Sequence, residues 1–374
     1  MWLIPCKIEC VKRIALERLA ALDIHPICLP VEADRDPSIK HVQVLASQNL
    51  ATARHILLVA PDTGGSALGV HSLRYATDRH IGDGTMETIS RRALREEGYD
   101  AVLIANPATL YWDASKCTTI TSVGWKAGNL PTVRLSLPSS DPLGSTIPGH
   151  ESPEQHLSSL LDYLKSLIAS NPENHKLKVD FVATGYSAYA LLLYLDHDYS
   201  FWQKHVRAGV LAESGHSIRD FSDPLLREFI RLRCRNYTLN GTEPIGAVMS
   251  SSLVTEVATF SSGQSDFAAN IAPAILPHIF AYFRKAYRVD AIRARPAAPS
   301  PEIGESGNDG PEDDDVLNPP VLVGMDDDLG SSRLDFMSAQ HTLHGGQEGG
   351  PPGTAAAGAV DEGWRFPSEE ATAR

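Results

Sequence analysis

The run Lys178-Val-Asp-Phe-Val-Ala-Thr-Gly-Tyr-Ser-Ala-Tyr-Ala-Leu-Leu-Leu-Tyr-Leu195 narrows the choice of fold more than any other stretch of the chain. Its first seven residues are mostly apolar, Gly185 breaks the run, and a Leu/Ala-rich helical segment follows at once. A strand that turns sharply into a helix is the setting in which α/β-hydrolases present a serine hydroxyl at the rim of the sheet. Strand and helix crowd each other there, so small residues are needed two positions either side of the nucleophile. With Ser187 as that nucleophile, Gly185 meets the requirement and Tyr189 does not.

The rest of the body repeats the alternation. Strand-like runs fall at His55–Ala60, Asp100–Ala105, Thr132–Leu137, Lys178–Thr184, Arg207–Glu213 and Leu253–Phe260. Between them, Ser152-Pro-Glu-Gln155 reads as a capped helix start, and Leu157, Leu160, Leu161, Leu164, Leu167 and Ile168 form one apolar stripe. Further helices are expected over Thr85–Glu97, Pro224–Tyr237 and Ile271–Ala286, with a lead-in helix through Ile8, Val11, Ala15, Leu19 and Leu22. Strands alternating with helices imply a mostly parallel sheet covered on both faces. The expected organisation is a lead-in helix over 1–25, an α/β-hydrolase-like domain over 26–290 and a tail over 291–374.

Charge separates the tail from the body. Residues 291–374 hold 16 acidic against 5 basic side chains, which is most of the net charge of −13. With Arg295-Pro-Ala-Ala-Pro-Ser-Pro, Glu312-Asp-Asp-Asp315 and Gly345-Gly-Gln-Glu-Gly-Gly-Pro-Pro352, this stretch has too little apolar surface to offset its ordering entropy, and it is expected to be disordered. Leu334-Asp-Phe-Met337 and Trp364-Arg-Phe366 are its candidate docking segments. The five cysteines are scattered without a C-x-x-C pair, and the fourteen histidines contain no H-E-x-x-H. No disulfide framework, metal site or cofactor is therefore expected. No segment has a membrane-spanning length of apolar residues, and the start has no signal-peptide pattern, so the expectation is a soluble intracellular chain.

Three constellations are candidates for chemistry. In the hydrolase order the acid follows a later strand than the nucleophile, and the histidine comes last. Glu213 stands where the acid can be placed, but the loop Ser261-Ser-Gly-Gln-Ser-Asp-Phe267 holds no histidine. His216 would have to serve from three residues beyond the acid, and a serine without a neighbouring base is a poor nucleophile. The loop Ala60-Pro-Asp-Thr-Gly-Gly-Ser66 offers Gly64 and Gly65 as an oxyanion-like cradle or, more plainly, as a tight turn needing positive φ. Arg227, Arg231 and Arg235 are spaced by four on the helix expected over Pro224–Tyr237. They suit phosphate or carboxylate recognition, RNA included, or else form a solvated face. No DNA-reading motif occurs.

Ala212-Glu-Ser-Gly-His-Ser-Ile-Arg-Asp220, then Phe229-Ile-Arg-Leu-Arg-Cys-Arg-Asn-Tyr237, then Glu243-Pro-Ile-Gly246, resembles the distal half of the argonaute-binding-protein-two domain. Upstream, Leu68-Gly-Val70, Ile81-Gly-Asp-Gly-Thr-Met-Glu87, Ala105-Asn-Pro-Ala-Thr-Leu-Tyr-Trp112 and Pro148-Gly-His-Glu-Ser-Pro153 look like the fungal branch of the same family. The resemblance spans about residues 14–288. It implies an α/β-hydrolase-like fold in a group that includes a subunit of an Argonaute siRNA chaperone complex and domains attached to fungal histone deacetylases. Relatives with a serine elbow would place their serine on Ser187, and a late histidine near Ser265–Asp266. Since the histidine is missing and Tyr189 crowds the elbow, the expected role is a non-catalytic scaffold in RNAi- or deacetylase-linked heterochromatin silencing. The expected partners are Argonaute, other silencing-complex subunits or deacetylase components; RNA is a further candidate, and a membrane is not. The expected location is nuclear, with a cytoplasmic share. The alternatives are a serine hydrolase built on Ser187 and an RNA-binding domain built on the arginines. Relatives usually extend further at the N-terminus, so a truncated start is also an expectation.

Overall fold

The structure is a computed structural model that describes residues 3–64, 67–121, 145–170, 176–250 and 255–293. The expected acidic tail with its two docking segments, the strand expected over Thr132–Leu137 and Gly65 lie outside the described residues.

Along the chain run α1 (Leu3–Ala20), β1 (Ile24–Leu29), β2 (Val42–Ser47), β3 (His55–Ala60), α2 (Leu73–Asp78), α3 (Ile81–Gly84) and α4 (Met86–Glu96). Next come β4 (Ala101–Ile104), the hairpin strands β5 (Tyr111–Asp113) and β6 (Thr118–Ile120), α5 (Pro153–Ser170), β7 (Lys178–Thr184), α6 (Tyr186–His197) and α7 (Tyr199–Trp202). The last described elements are β8 (Val206–Ala212), α8 (Pro224–Arg233), β9 (Cys234–Thr238), β10 (Ala258–Ser261), α9 (Ile271–Ala274) and α10 (Leu276–Arg293).

Eight strands form one sheet in the order β1-β2-β4-β3-β7-β8-β9-β10. From β4 to β10 every neighbouring pair is parallel, whereas β2 runs antiparallel to both β1 and β4. The mostly parallel sheet with helices on both faces is the architecture that the alternating sequence implies. β3, β7 and β8 are near-continuous apolar runs because both of their faces are covered. On one face Leu157, Leu160, Leu161 and Leu164 of α5, Leu191 and Leu195 of α6, and Leu226, Phe229 and Ile230 of α8 close the core. On the other, Leu19 of α1, Met86, Ile89 and Ala93 of α4, and Ile279, Phe280 and Phe283 of α10 do the same.

Several boundaries differ from the sequence reading. The helix expected over Pro224–Tyr237 stops at Arg233, and Cys234–Thr238 is a strand. Pairing with Gly209–Ala212 of β8 and with Ala258–Ser261 of β10 outweighs the helical propensity of an arginine-rich run. The last helix divides into α9 and α10. β1 and β2 had no counterpart in the sequence reading. Pro26 breaks the pattern of β1, a position open to proline only because β1 is the sheet edge.

Two buried polar clusters tie the layers together. Asp180 of β7 is fully buried, and its carboxylate accepts from the Arg207 guanidinium (Nε to Oδ1, 2.9 Å), from Tyr99 Oη at 2.6 Å and from His55 Nε2 at 3.1 Å. Arg207 also lies under the Tyr287 ring, which links α10 to the sheet. The second cluster is a pair of buried imidazoles. The Asn106 N–H donates to His156 Nε2, so His156 carries its proton on Nδ1 and donates it to His150 Nδ1, 2.9 Å away. Both rings are therefore neutral. Burial pushes His150 down to about 4, and burial, with the penalty of charging two adjacent rings, pushes His156 well down.

Two outcomes follow from these clusters. Replacing Arg207 by Leu leaves the Asp180 charge buried without its main counter-ion, so urea unfolding should show a loss of about 3–5 kcal/mol; a loss below 1 kcal/mol would contradict this account. The neutral imidazoles His71, His150 and His216, each at about 4, bind protons in the unfolded chain before they do so in the folded one. Their contribution is complete above the ordinary histidine value and is lost as pH falls from about 6.5 to 4, on the order of 3 kcal/mol per ring. Urea unfolding across that range should show it, and His150→Gln should flatten the slope.

Candidate functional site

The parallel strands end on one rim, where the loops after β3, β7, β8 and β10 hold the candidate side chains. β7 finishes at Thr184, and α6 begins at Tyr186. The residue between them, Gly185, has φ 58° and ψ −130°, a conformation that a residue with a side chain adopts only under strain. The sharp turn is therefore made by Gly185, two positions before Ser187. Around this centre the small residues fall at Ala183 and Ser187, so the crowding attributed to Tyr189 disappears. Ser187 is the small neighbour in the first turn of α6, fully buried, with an Oγ that has no hydrogen-bond partner among the described residues.

The space beyond Gly185 is filled. A Cβ built on Gly185 would lie 2.5 Å from Asp62 Oδ1, so the carboxylate from the loop after β3 occupies the volume of an elbow side chain. That carboxylate accepts the Thr63 N–H at 2.8 Å and the Gly64 N–H. Burial pushes the Asp62 carboxyl above its usual range, and the two N–H groups pull it back. Gly64 is not in the positive-φ region that the turn reading expected; its N–H faces Asp62 instead, and a Cβ there would meet Asp62 Oδ2 at 3.0 Å. The cradle is thus engaged from within.

The remaining candidates are also committed elsewhere. Glu213 follows β8 at φ 54°, and its Oε2 accepts the Leu239 N–H at 2.6 Å, which clasps the ends of β8 and β9. His216 is fully buried, with Nδ1 2.8 Å from Ser214 Oγ. Burial lowers it to about 4, against the opposing pull of the Thr255 backbone and Asp220. Ser187, Glu213 and His216 are not joined by hydrogen bonds. In the loop after β10, Asp266 pairs with Arg74 at 3.0 Å, while His278 of α10 packs near the Tyr237 ring.

The arginines do not share one helical stripe. Arg227 donates to the Ser222 carbonyl and Arg231 pairs with Glu256, Nε to Oε2 at 2.7 Å. Arg235 belongs to β9, and its guanidinium stacks on Tyr282 and Phe260, 4.3 and 5.0 Å from the ring centroids. A spacing of four aligns side chains on a helix, and the helix ends at Arg233, before Arg235.

A family model for the Arb2 domain matches residues 6–244. The chain belongs to the Arb2 domain family. The match contains the elbow, the Asp62 loop and the Glu213–His216 segment, whereas β10 and α10 lie beyond it. No curated protein matches the chain significantly. Within this Arb2 domain, Asp62 is the residue that sequence reasoning passed over. Its signal was an acid placed two residues before Gly64 at the end of a buried strand.

The elbow makes opposite demands at its two positions. Gly185→Ala adds positive-φ strain and a clash with Asp62, and should lower the unfolding free energy by at least about 2 kcal/mol. Ser187→Ala deletes a buried hydroxyl with no hydrogen-bond partner among the described residues and should be neutral or stabilising. Chemical denaturation of the two variants checks both, and the reverse ranking would contradict the assignment of Gly185 as the turning residue.

Proposed function

We propose that this Arb2 domain is a non-catalytic scaffold in Argonaute- or histone-deacetylase-linked silencing, acting through protein–protein contacts in the nucleus. The observation that carries the non-catalytic part is the elbow itself: Gly185 bears no nucleophile, and the Asp62 carboxylate fills the volume beside it. Ser187 is buried with no base hydrogen-bonded to it among the described residues, and the candidate imidazole, His216, is turned to Ser214. Membership of the Arb2 domain family supports the Argonaute part.

A fluorophosphonate probe should leave the folded protein unlabelled, and affinity purification of the full chain should recover Argonaute, deacetylase or other silencing subunits. Labelling that disappears in Ser187→Ala would overturn the non-catalytic reading. Repeated recovery of none of those subunits would overturn the silencing reading, and the two results are independent.

A further inference from the structure

We propose that a cleft on the rim opposite the elbow binds a small molecule carrying an ammonium at one end, a carboxylate at the other and a short aliphatic body between them. The cleft has a volume of about 550 Å³ and lies among the α1–β1 turn, the end of β2, the end of α4 and the approach to β4. Sites for small organic ligands are of this size. Its buried lining is already committed: Ser47 Oγ accepts the Val102 N–H, and Tyr99 Oη donates to Asp180. Two charges at its mouth are not. Arg95, in the last turn of α4, has no hydrogen bond or ion pair among the described residues, whereas Arg91 and Arg92 of the same helix pair with Glu87 and Glu97. The Asp23 carboxylate is likewise unpartnered among the described residues. Its backbone is bound on both sides, the N–H to the Ala20 carbonyl and the C=O to the Gln48 N–H.

Asp23 and Arg95 line one cleft without pairing with each other. Opposite charges held apart in this way leave room for a molecule that carries both complements. A simple anion would meet Arg95 but be repelled by Asp23 and by Asp100, whose carboxylate lines the same cleft while accepting the Arg54 and His55 N–H groups. A simple cation would meet the carboxylates and be repelled by Arg95. Leu22 and Leu94, both half-buried, supply an apolar wall against which a methylene chain can lie. The site is separate from the elbow, and the inference holds whether or not the domain serves in silencing.

The test is titration of the full chain, followed by ligand-observed NMR, with glycine, β-alanine, 4-aminobutyrate and 5-aminopentanoate. Butyrate and butylamine serve as singly charged controls. Affinity should pass through a maximum along the series, because one chain length matches the gap between Asp23 and Arg95. Each control should bind more weakly than the best amino acid by roughly fivefold, the upper range for one exposed ion pair. Arg95→Gln and Asp23→Asn should each lower the affinity of that amino acid by a similar factor at unchanged melting temperature, since both side chains are exposed and asparagine tolerates the φ of 57° at position 23. Absence of saturable binding by all four amino acids would overturn the proposal, as would a control that binds as tightly as the best of them. Full affinity in either variant would overturn it too. The two controls decide the matter on the wild-type chain alone should a variant fail to fold.

Discussion

The close approach of Asp62 to Gly185 is the contact on which the rim of this sheet depends. At 2.5 Å between a carboxylate oxygen and the position of an absent Cβ, no other amino acid fits at 185 without moving the loop after β3. The same glycine supplies the positive φ that lets β7 pass straight into α6. One residue therefore serves two geometric requirements, the direction of the chain and the seating of the neighbouring loop. A nucleophile in that place would violate the second. The carboxylate and the glycine are coupled, and each explains the presence of the other.

Around that contact, groups with chemical potential are spent on internal connections. Glu213 clasps the end of β9, His216 holds Ser214, and Asp266 meets Arg74. At the opposite end of the same strands, the Asp180–Arg207 pair with Tyr99 and His55 fixes β7, β8 and the segments packed over them. A buried ion pair adds little net stability compared with apolar residues of equal volume, yet half of one is strongly unfavourable. Such a cluster penalises misregistered packing of β7 against β8 more than it deepens the native well. The sheet is pinned at both ends by polar contacts that have one satisfactory arrangement.

The frame was legible because its signals are local and redundant. β3 and β7 fall on their expected bounds, since His55–Ala60 and Lys178–Thr184 are apolar runs ended by proline and glycine. α5 follows its leucine stripe, and Ser152 accepts the Gln155 N–H as a helix start requires. What escaped was set by tertiary partners. Cys234–Thr238 is strand only because β8 and β10 flank it, and Pro26 reads as a breaker until β1 is known to be an edge. The centre of the elbow was hidden for a different reason. A motif anchored on a hydroxyl selects Ser187, whereas the backbone turn selects the residue that tolerates φ 58°, and these are two positions apart. The pattern small–x–Gly–x–small around Gly185 was visible, but its centre carried no reactive atom.

That offset bears on how such a rim can change its use. A hydrolase elbow gains its reactivity from strain, which exposes one side chain and leaves the adjacent N–H groups free for a substrate. With glycine at the turn the strain falls, because glycine adopts this backbone region at little cost. With Asp62 in the cradle the N–H groups are satisfied. Both changes move the rim from reactive and partly unsatisfied towards stable and closed. Asp62, Glu213 and Asp266 are thereby engaged in contacts within the rim. The arginines follow the same logic. Arg231 is held by Glu256, so phosphate recognition through it would first have to break that ion pair, and Arg235 lies stacked on two aromatic rings of the body.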